Sequence, residues 1–155
     1  FCHCLVMNGI NFMELALTQA ERAAQIGEVP VGALIVNPDG KVIASAHNLV
    51  ETQRDATAHA ECLVLKEAMG RLNQKFLDGC DLWVTLEPCI MCSGAISYAR
   101  IRRLYYAAED KKGGAVEHGN RVFSQATCLH KPEIYGGIMA SKSATLLRNF
   151  FAERR

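Results

Sequence analysis

The sequence predicts a three-layer α/β/α domain, a mixed sheet of about five strands with helices on both faces. Three observations carry this. "VGALIV" and "KVIASAH" flank "NPDG", whose Pro38, Asp39 and Gly40 supply turn chemistry, so residues 31–36 and 41–47 form an antiparallel hairpin. "DLWVTL" at 81–86, a short helix after Pro88 and "IRRLYYA" at 101–107 form a strand, helix, strand unit, which pairs its strands in parallel through a right-handed crossover. Amphipathic helical segments near both ends of the chain supply cover for the sheet.

In chain order, residues 1–10 are expected to be a disordered leader, although Cys2, His3 and Cys4 are of types that bind metals. Residues 11–155 are expected to be one domain, since a chain of 155 residues that is half apolar fits a single core. "NFMELALTQAERAAQIG" is an amphipathic helix stopped by Gly27, with Met13, Ala16, Leu17, Ala20, Ala23 and Ala24 on one stripe. Those small residues predict close packing. Residues 48–56 are polar loop. A second helix runs from about 58 to 69, with Asp55 or Thr57 as cap and Gly70 as stop. After the 81–86 strand, Pro88 suits a first helical turn because it has no N–H to leave unsatisfied, and "CIMCSGAISY" follows as helix. Residues 108–132 are Gly-rich and charged, without period. "EIYGG" at 133–137 is a last short strand, leading to a helix over about 138–152 with Leu146, Leu147, Phe150 and Phe151 on its apolar side.

The longest apolar runs are far too short to cross a bilayer, and no basic-then-apolar leader opens the sequence, so the chain is expected to be soluble and cytoplasmic with no membrane partner. Seven cysteines are an odd count and two of them form C-x-x-C, which favours metal ligation over a disulfide framework. The net charge of +1 hides an asymmetry: residues 1–95 hold 6 Lys and Arg against 11 Asp and Glu, whereas residues 96–155 hold 11 against 5. A basic C-terminal part fits a polyanionic partner, and equally a solvated face on which charges cluster.

Chemistry concentrates in "TAHAECL" at 57–63 and "LEPCIMCSGA" at 86–95. His59 and Glu61 are two apart, a spacing that diverges in mid-helix, so they share a site only where a helix end faces it. Cys89 and Cys92, three apart, lie on one face of a first helical turn, near the positive helix end that favours thiolates. Two helix N-termini thus converge on one Zn²⁺ held by His59, Cys89 and Cys92. Three protein ligands leave the fourth position for water, the pattern of a catalytic zinc. Cys62, one turn beyond His59, is the rival fourth ligand that would close the site; followed by Leu63, Val64 and Leu65, it also reads as a small core residue. Two thiolates already cancel the zinc charge, so a local base is needed. Glu61 is placed to take the water's proton and pass it on, or else merely complements the helix dipole.

H-x-E with P-C-x-x-C is the signature of zinc nucleobase deaminases. From about residue 11 to 155 the chain resembles the bacterial tRNA-specific adenosine deaminases of the cytidine deaminase superfamily, through "EVPVGALIV", "DATAHAECLVL", "LWVTLEPCIMCSGAI" and "LLRNFFAERR" in the same order and at similar spacing. The resemblance implies a cytidine deaminase-like fold and hydrolytic conversion of adenosine to inosine at the wobble position, on the anticodon stem-loop of an arginine tRNA. It implies one Zn²⁺ per subunit on His59, Cys89 and Cys92, Glu61 as proton shuttle, and a homodimer in which one subunit completes the other's groove. For the substrate it implies Asn48 hydrogen-bonding the nucleoside, Val29, Pro30 and Ala60 at the base, and Asp110 near the preceding nucleotide. It further implies His130 in a loop receiving neighbouring nucleotides, with Phe151 and Arg154 on a terminal helix that grips the anticodon arm. Plainer readings stand beside these: Asn48 as a polar strand end, Val29 and Pro30 as a strand entrance, His130 as an ordinary exposed histidine.

The chain departs from that family at Ala56, where proline is usual, at Leu129, where asparagine usually precedes the histidine, and in "VEHGN", which lacks a usual serine. The last two changes fall in the RNA-facing region. Two other functions stay open: a superfamily deaminase acting on a free base or nucleoside such as cytosine or guanine, which needs no basic C-terminal segment, and a non-catalytic zinc or tRNA-binding module with Cys62 closing the metal shell.

Overall fold

The computed structural model describes residues 6–7 and 10–154; Cys2, His3, Cys4 and most of the expected leader lie outside them. β1 (Val6–Met7) and β2 (Ile10–Asn11) form a two-residue antiparallel ladder. α1 (Phe12–Gln25) starts on Asn11, whose side-chain oxygen accepts from the N–H groups of Met13 at 3.1 Å and Glu14 at 3.4 Å. It ends, as expected, ahead of Gly27 at φ +82°, beyond which the Glu28 N–H closes onto the Ala23 carbonyl at 2.9 Å.

The sheet is the expected mixed sheet of five strands. β3 (Gly32–Val36) pairs antiparallel with β4 (Val42–His47) on one side and with β5 (Asp81–Leu86) on the other; β6 (Arg103–Ala108) and β7 (Glu133–Tyr135) follow in parallel, giving the order β4-β3-β5-β6-β7. Period-two alternation divides the central strands between two cores. Leu34, Trp83 and Tyr105 pack with Phe12, Met13 and Leu17 of α1. Ile35, Val84 and Leu104 pack with Val64 and Leu65 of α3 (Ala60–Leu72) and with Ile96 of α4 (Ile90–Ala99). α5 (Ala140–Ala152) joins α1 on its face. The small stripe of α1 is explained by Gly32: a Cβ there would meet the Ala16 carbonyl oxygen at 2.1 Å and the Ala20 nitrogen at 2.6 Å.

The structure corrects the ends of the second helix. α3 passes through Gly70 and stops at Asn73, which takes the left-handed conformation at φ 52°. The extra turn is held by Arg71, paired with Glu67 at 2.8 Å, and by Leu72, which packs on the core. Neither Asp55 nor Thr57 caps it: the Asp55 carboxylate accepts from the Thr57 N–H and hydroxyl at 2.8 and 2.7 Å, and His59 occupies the cap position. The expected loop at 48–56 contains a one-turn helix, α2 (Val50–Gln53). On α5, Phe150 is buried but Phe151 is 49% exposed, so the apolar side is narrower than the sequence pattern. No helix among the described residues is long and apolar enough to cross a membrane.

Candidate active site

α3 and α4 begin side by side, after His59 and Cys89, each an extended residue at its helix's N-cap. His59 Nδ1 lies 3.6 Å from Cys89 Sγ and 3.6 Å from Cys92 Sγ, and the three ligand atoms all fall within 4.8 Å of one another. A tetrahedral zinc with Zn–S of about 2.3 Å and Zn–N of about 2.0–2.1 Å requires an S···N edge of roughly 3.6 Å, so the set fits that ion. Two sulfurs and an imidazole are also the donor softness that suits it. Cys62 Sγ lies 3.6 Å from Cys92 Sγ but is not one of the trio that converges. Among the described residues, His59, Cys89 and Cys92 are the ligand-type side chains that converge.

Electrostatics set Glu61 apart. It is 4% exposed, and burial pushes its carboxyl up to about 7, against the help of its own N–H and the Cys92 thiol. Cys89 is drawn down to about 5, chiefly by the hydrogen bond from Cys92. Cys92, fully buried, is pushed up by its thiol contacts with Cys62 and Cys89 and by burial.

A cavity of 590 Å³ opens in front of this group, a size within the range of small-ligand sites. Of the residues singled out in the sequence, His59, Glu61 and Cys89 line it together with Val29, Asn48, Ala60, Asp110 and Arg154. Asn48 is pinned at both ends: Nδ2 donates to the Val29 carbonyl at 3.4 Å and Oδ1 accepts from the Val50 N–H at 3.2 Å. Arg154 lies over the Phe150 ring, 3.4 Å from its centroid. Pro30 is buried and off the wall of the cavity. Phe151 lines an adjoining groove of 1080 Å³ with Lys112 and Arg148. His130 is farther off, in a 460 Å³ groove beside Tyr98 and Leu129, with Nε2 3.2 Å from the Ile101 carbonyl.

Two glutamates that frame the cavity escaped the sequence reading. The Glu87 carboxylate accepts from the N–H groups of Asp110, Val116, Glu117 and His118 at 3.0–3.2 Å and bonds His118 Nδ1 at 2.8 Å. Burial alone would raise its pKa, but these partners outweigh burial and hold it below the usual carboxylate value. The loop wraps so tightly that a Cβ on Gly114 would sit 2.4 Å from the Asp110 carbonyl oxygen and 2.5 Å from Glu87 Cδ. Glu28 accepts from the Glu51 N–H at 3.1 Å and from the Thr52 N–H and hydroxyl, both at 2.6 Å, fixing α2 against the cavity. The signals were the glutamate of "LEPC" and the "GG" of the loop, but no spacing rule joins residues 29 apart along the chain, the separation of Glu87 and Val116.

The family model of MafB19-like deaminases matches residues 7–155. A tRNA-specific adenosine deaminase of Agrobacterium fabrum is 56% identical over 145 residues, spanning 94% of this chain and 95% of its own. A solved structure from a study of A-to-I editing by tRNA:A34 deaminases at the wobble position of transfer RNA superposes with TM-score 0.86 at 56% identity, covering 88% of this chain and 98% of its own. A guanine deaminase of Bacillus subtilis is similar at TM-score 0.64 and 32% identity, over 96% of this chain and 94% of its own.

Proposed function

Because this chain belongs to the MafB19-like deaminase family and to the tRNA-specific adenosine deaminases, we propose that it converts adenosine to inosine at the wobble position of a transfer RNA anticodon, with one zinc per subunit held by His59, Cys89 and Cys92. The observation that carries this reading is the placement of Glu61, a buried carboxyl near pKa 7, on the wall of the cavity that His59 and Cys89 also line. Zinc bound there supplies the Lewis acidity that makes water nucleophilic at neutral pH.

The remaining work falls to the chain's own side chains. Glu61 takes a proton from the attacking water and delivers it to N1 of the adenine ring as C6 is attacked; it then takes the second proton from the new C6 hydroxyl and passes it to the amine, so that ammonia departs and the C6 oxygen becomes a carbonyl. A single carboxyl within reach of both the water and the base can act as base and then as acid. Val29 and Ala60 flank the base, and Asn48, held at both ends, orients the nucleoside. Asp110 meets the preceding nucleotide, Arg154 with Lys112 and Arg148 takes the phosphate backbone along the adjoining groove, and Phe151 offers a ring on which a base stacks. The anticodon loop presents an accessible base that swings out without the full unstacking cost of a duplex. His130 lines a groove apart from the cavity, in the loop assigned to neighbouring nucleotides, and the chain acts as a homodimer. We place the enzyme in the cytoplasm, acting on an arginine tRNA.

A side-by-side assay decides between this and free-base deamination. Incubation with an arginine tRNA anticodon stem-loop yields inosine, read as guanosine on sequencing, while adenine, guanine and cytosine stay intact. Turnover of free guanine with the stem-loop untouched would replace this reading by that of the more distant guanine deaminase. Light scattering on the same preparation reports the dimer.

A further inference from the structure

We propose that Cys62 is an oxidation site which, with a peroxide as oxidant, forms a disulfide to Cys92 and so removes a metal ligand, switching the site off reversibly. Cys62 stands in the first turn of α3, outside the converging trio, and the proposed reaction makes no use of it. Its Sγ is 3.6 Å from Cys92 Sγ. A disulfide needs roughly 2.05 Å, so closure asks the two sulfurs to approach by about 1.5 Å.

Access sets the order of events. Cys62 is half-buried, whereas Cys92 is 0% exposed, so peroxide meets Cys62 first. Cys89 is also half-buried, but Cys89 and Cys92 both have an electron pair engaged when zinc is bound, so the first oxidation falls on Cys62, the thiol outside the trio. Cys62, giving up its thiol proton, attacks one peroxide oxygen to give Cys62 sulfenic acid and hydroxide; the Cys92 thiolate then exchanges its bond to the metal for one to the sulfenic sulfur, forming the S–S bond and releasing a second hydroxide. The Cys62 proton and one proton from solvent neutralise the two hydroxides, so one thiol, one metal-bound thiolate, one peroxide and one proton become one disulfide and two waters. Two remaining ligands hold zinc poorly, and a dithiol reductant with zinc restores the trio.

The zinc readout rests on the metal reading above; the cross-link itself does not. Reduced, zinc-loaded protein is treated with hydrogen peroxide, zinc release is followed with a chromogenic chelator, and peptides are mapped without reduction. The expected result is a peptide joining Cys62 to Cys92, appearing in step with released zinc and reversed by dithiothreitol plus zinc. Cys62→Ser is expected to slow release by about tenfold, since the free attacking thiol is gone. A dominant Cys89 to Cys92 cross-link, or equal release from Cys62→Ser, overturns the proposal. A preparation that binds no zinc counts against the metal reading alone, and the peptide map still decides this one.

Discussion

Glu61 and Glu87 stand on the same cavity, 4% and 2% exposed, and behave as opposites. Glu61, at the mouth of α3, has its own N–H and a thiol for company, and its pKa rises to about 7. Glu87, at the end of β5, gathers four backbone N–H groups and an imidazole, and its pKa falls. Burial is common to both, so burial does not assign the role. The number of donors does: a carboxyl with few keeps a proton it can trade, and one with many is a fixed anion that ties a loop down.

The largest effect that tests the contrast is on turnover. Glu61→Gln keeps the shape and loses the exchangeable proton, and is expected to lower inosine formation by about 10³- to 10⁴-fold while retaining zinc by elemental analysis. Near-normal turnover would make Glu61 a structural residue like Glu87. Glu87→Gln is expected to act in the other currency: about 3 kcal/mol of unfolding free energy, because an amide turns N–H toward donors that need an acceptor. Hydrogen exchange at Asp110 and at 116–118 should quicken, and activity should fall only as far as the loop loosens.

The two carboxyls also predict opposite pH slopes in metal-stripped protein. Below about pH 4.5 Glu61 is protonated folded and unfolded; between 4.5 and about 7 the unfolded chain releases a proton that the folded chain keeps, so stability falls as pH rises. At roughly 1.4 kcal/mol per unit the loss approaches about 3 kcal/mol, and Glu61→Gln is spared it. Glu87, with its pKa lowered in the fold, contributes fully above its ordinary value of 4.5 and loses that contribution as pH falls through the folded value. Urea midpoints from pH 3.5 to 8 should show the Glu61→Gln gap widening upward and the Glu87→Gln gap closing downward. Parallel curves would end the distinction.

The same contrast explains what the sequence made legible. The proposed zinc ligands and Glu61 sit within one helical turn of each other on two helix starts, and a turn is a fixed geometry that spacing encodes. The sheet was readable for a like reason, since a tight turn between "VGALIV" and "KVIASAH" and a helix between the strands at 81–86 and 101–107 fix their pairing locally. Glu87 and Glu28 bind backbone N–H groups, which every residue carries, so no side-chain pattern announces their partners. The stop at Asn73 instead of Gly70 has the same origin: Leu72 packing on a core built from distant strands overrides a local breaker.

Glu28 gives the smallest and sharpest test, because it lies between the extremes. Three donors meet it, two backbone N–H groups and one hydroxyl; burial would raise its pKa, yet these bonds hold it below the ordinary value. If donor number grades a buried carboxyl from proton carrier to anchor, Glu28→Gln should destabilise by about 1–2 kcal/mol, less than Glu87→Gln, since fewer N–H groups are left facing an amide. Its functional trace should be in KM more than in kcat, because α2 begins two residues after Asn48, which accepts from the Val50 N–H, and loosening it frees the side chain proposed to orient the nucleoside. A fall in kcat comparable to that of Glu61→Gln would show that Glu28 handles a proton, and donor count would then fail as the rule that separates the two kinds of glutamate around this cavity.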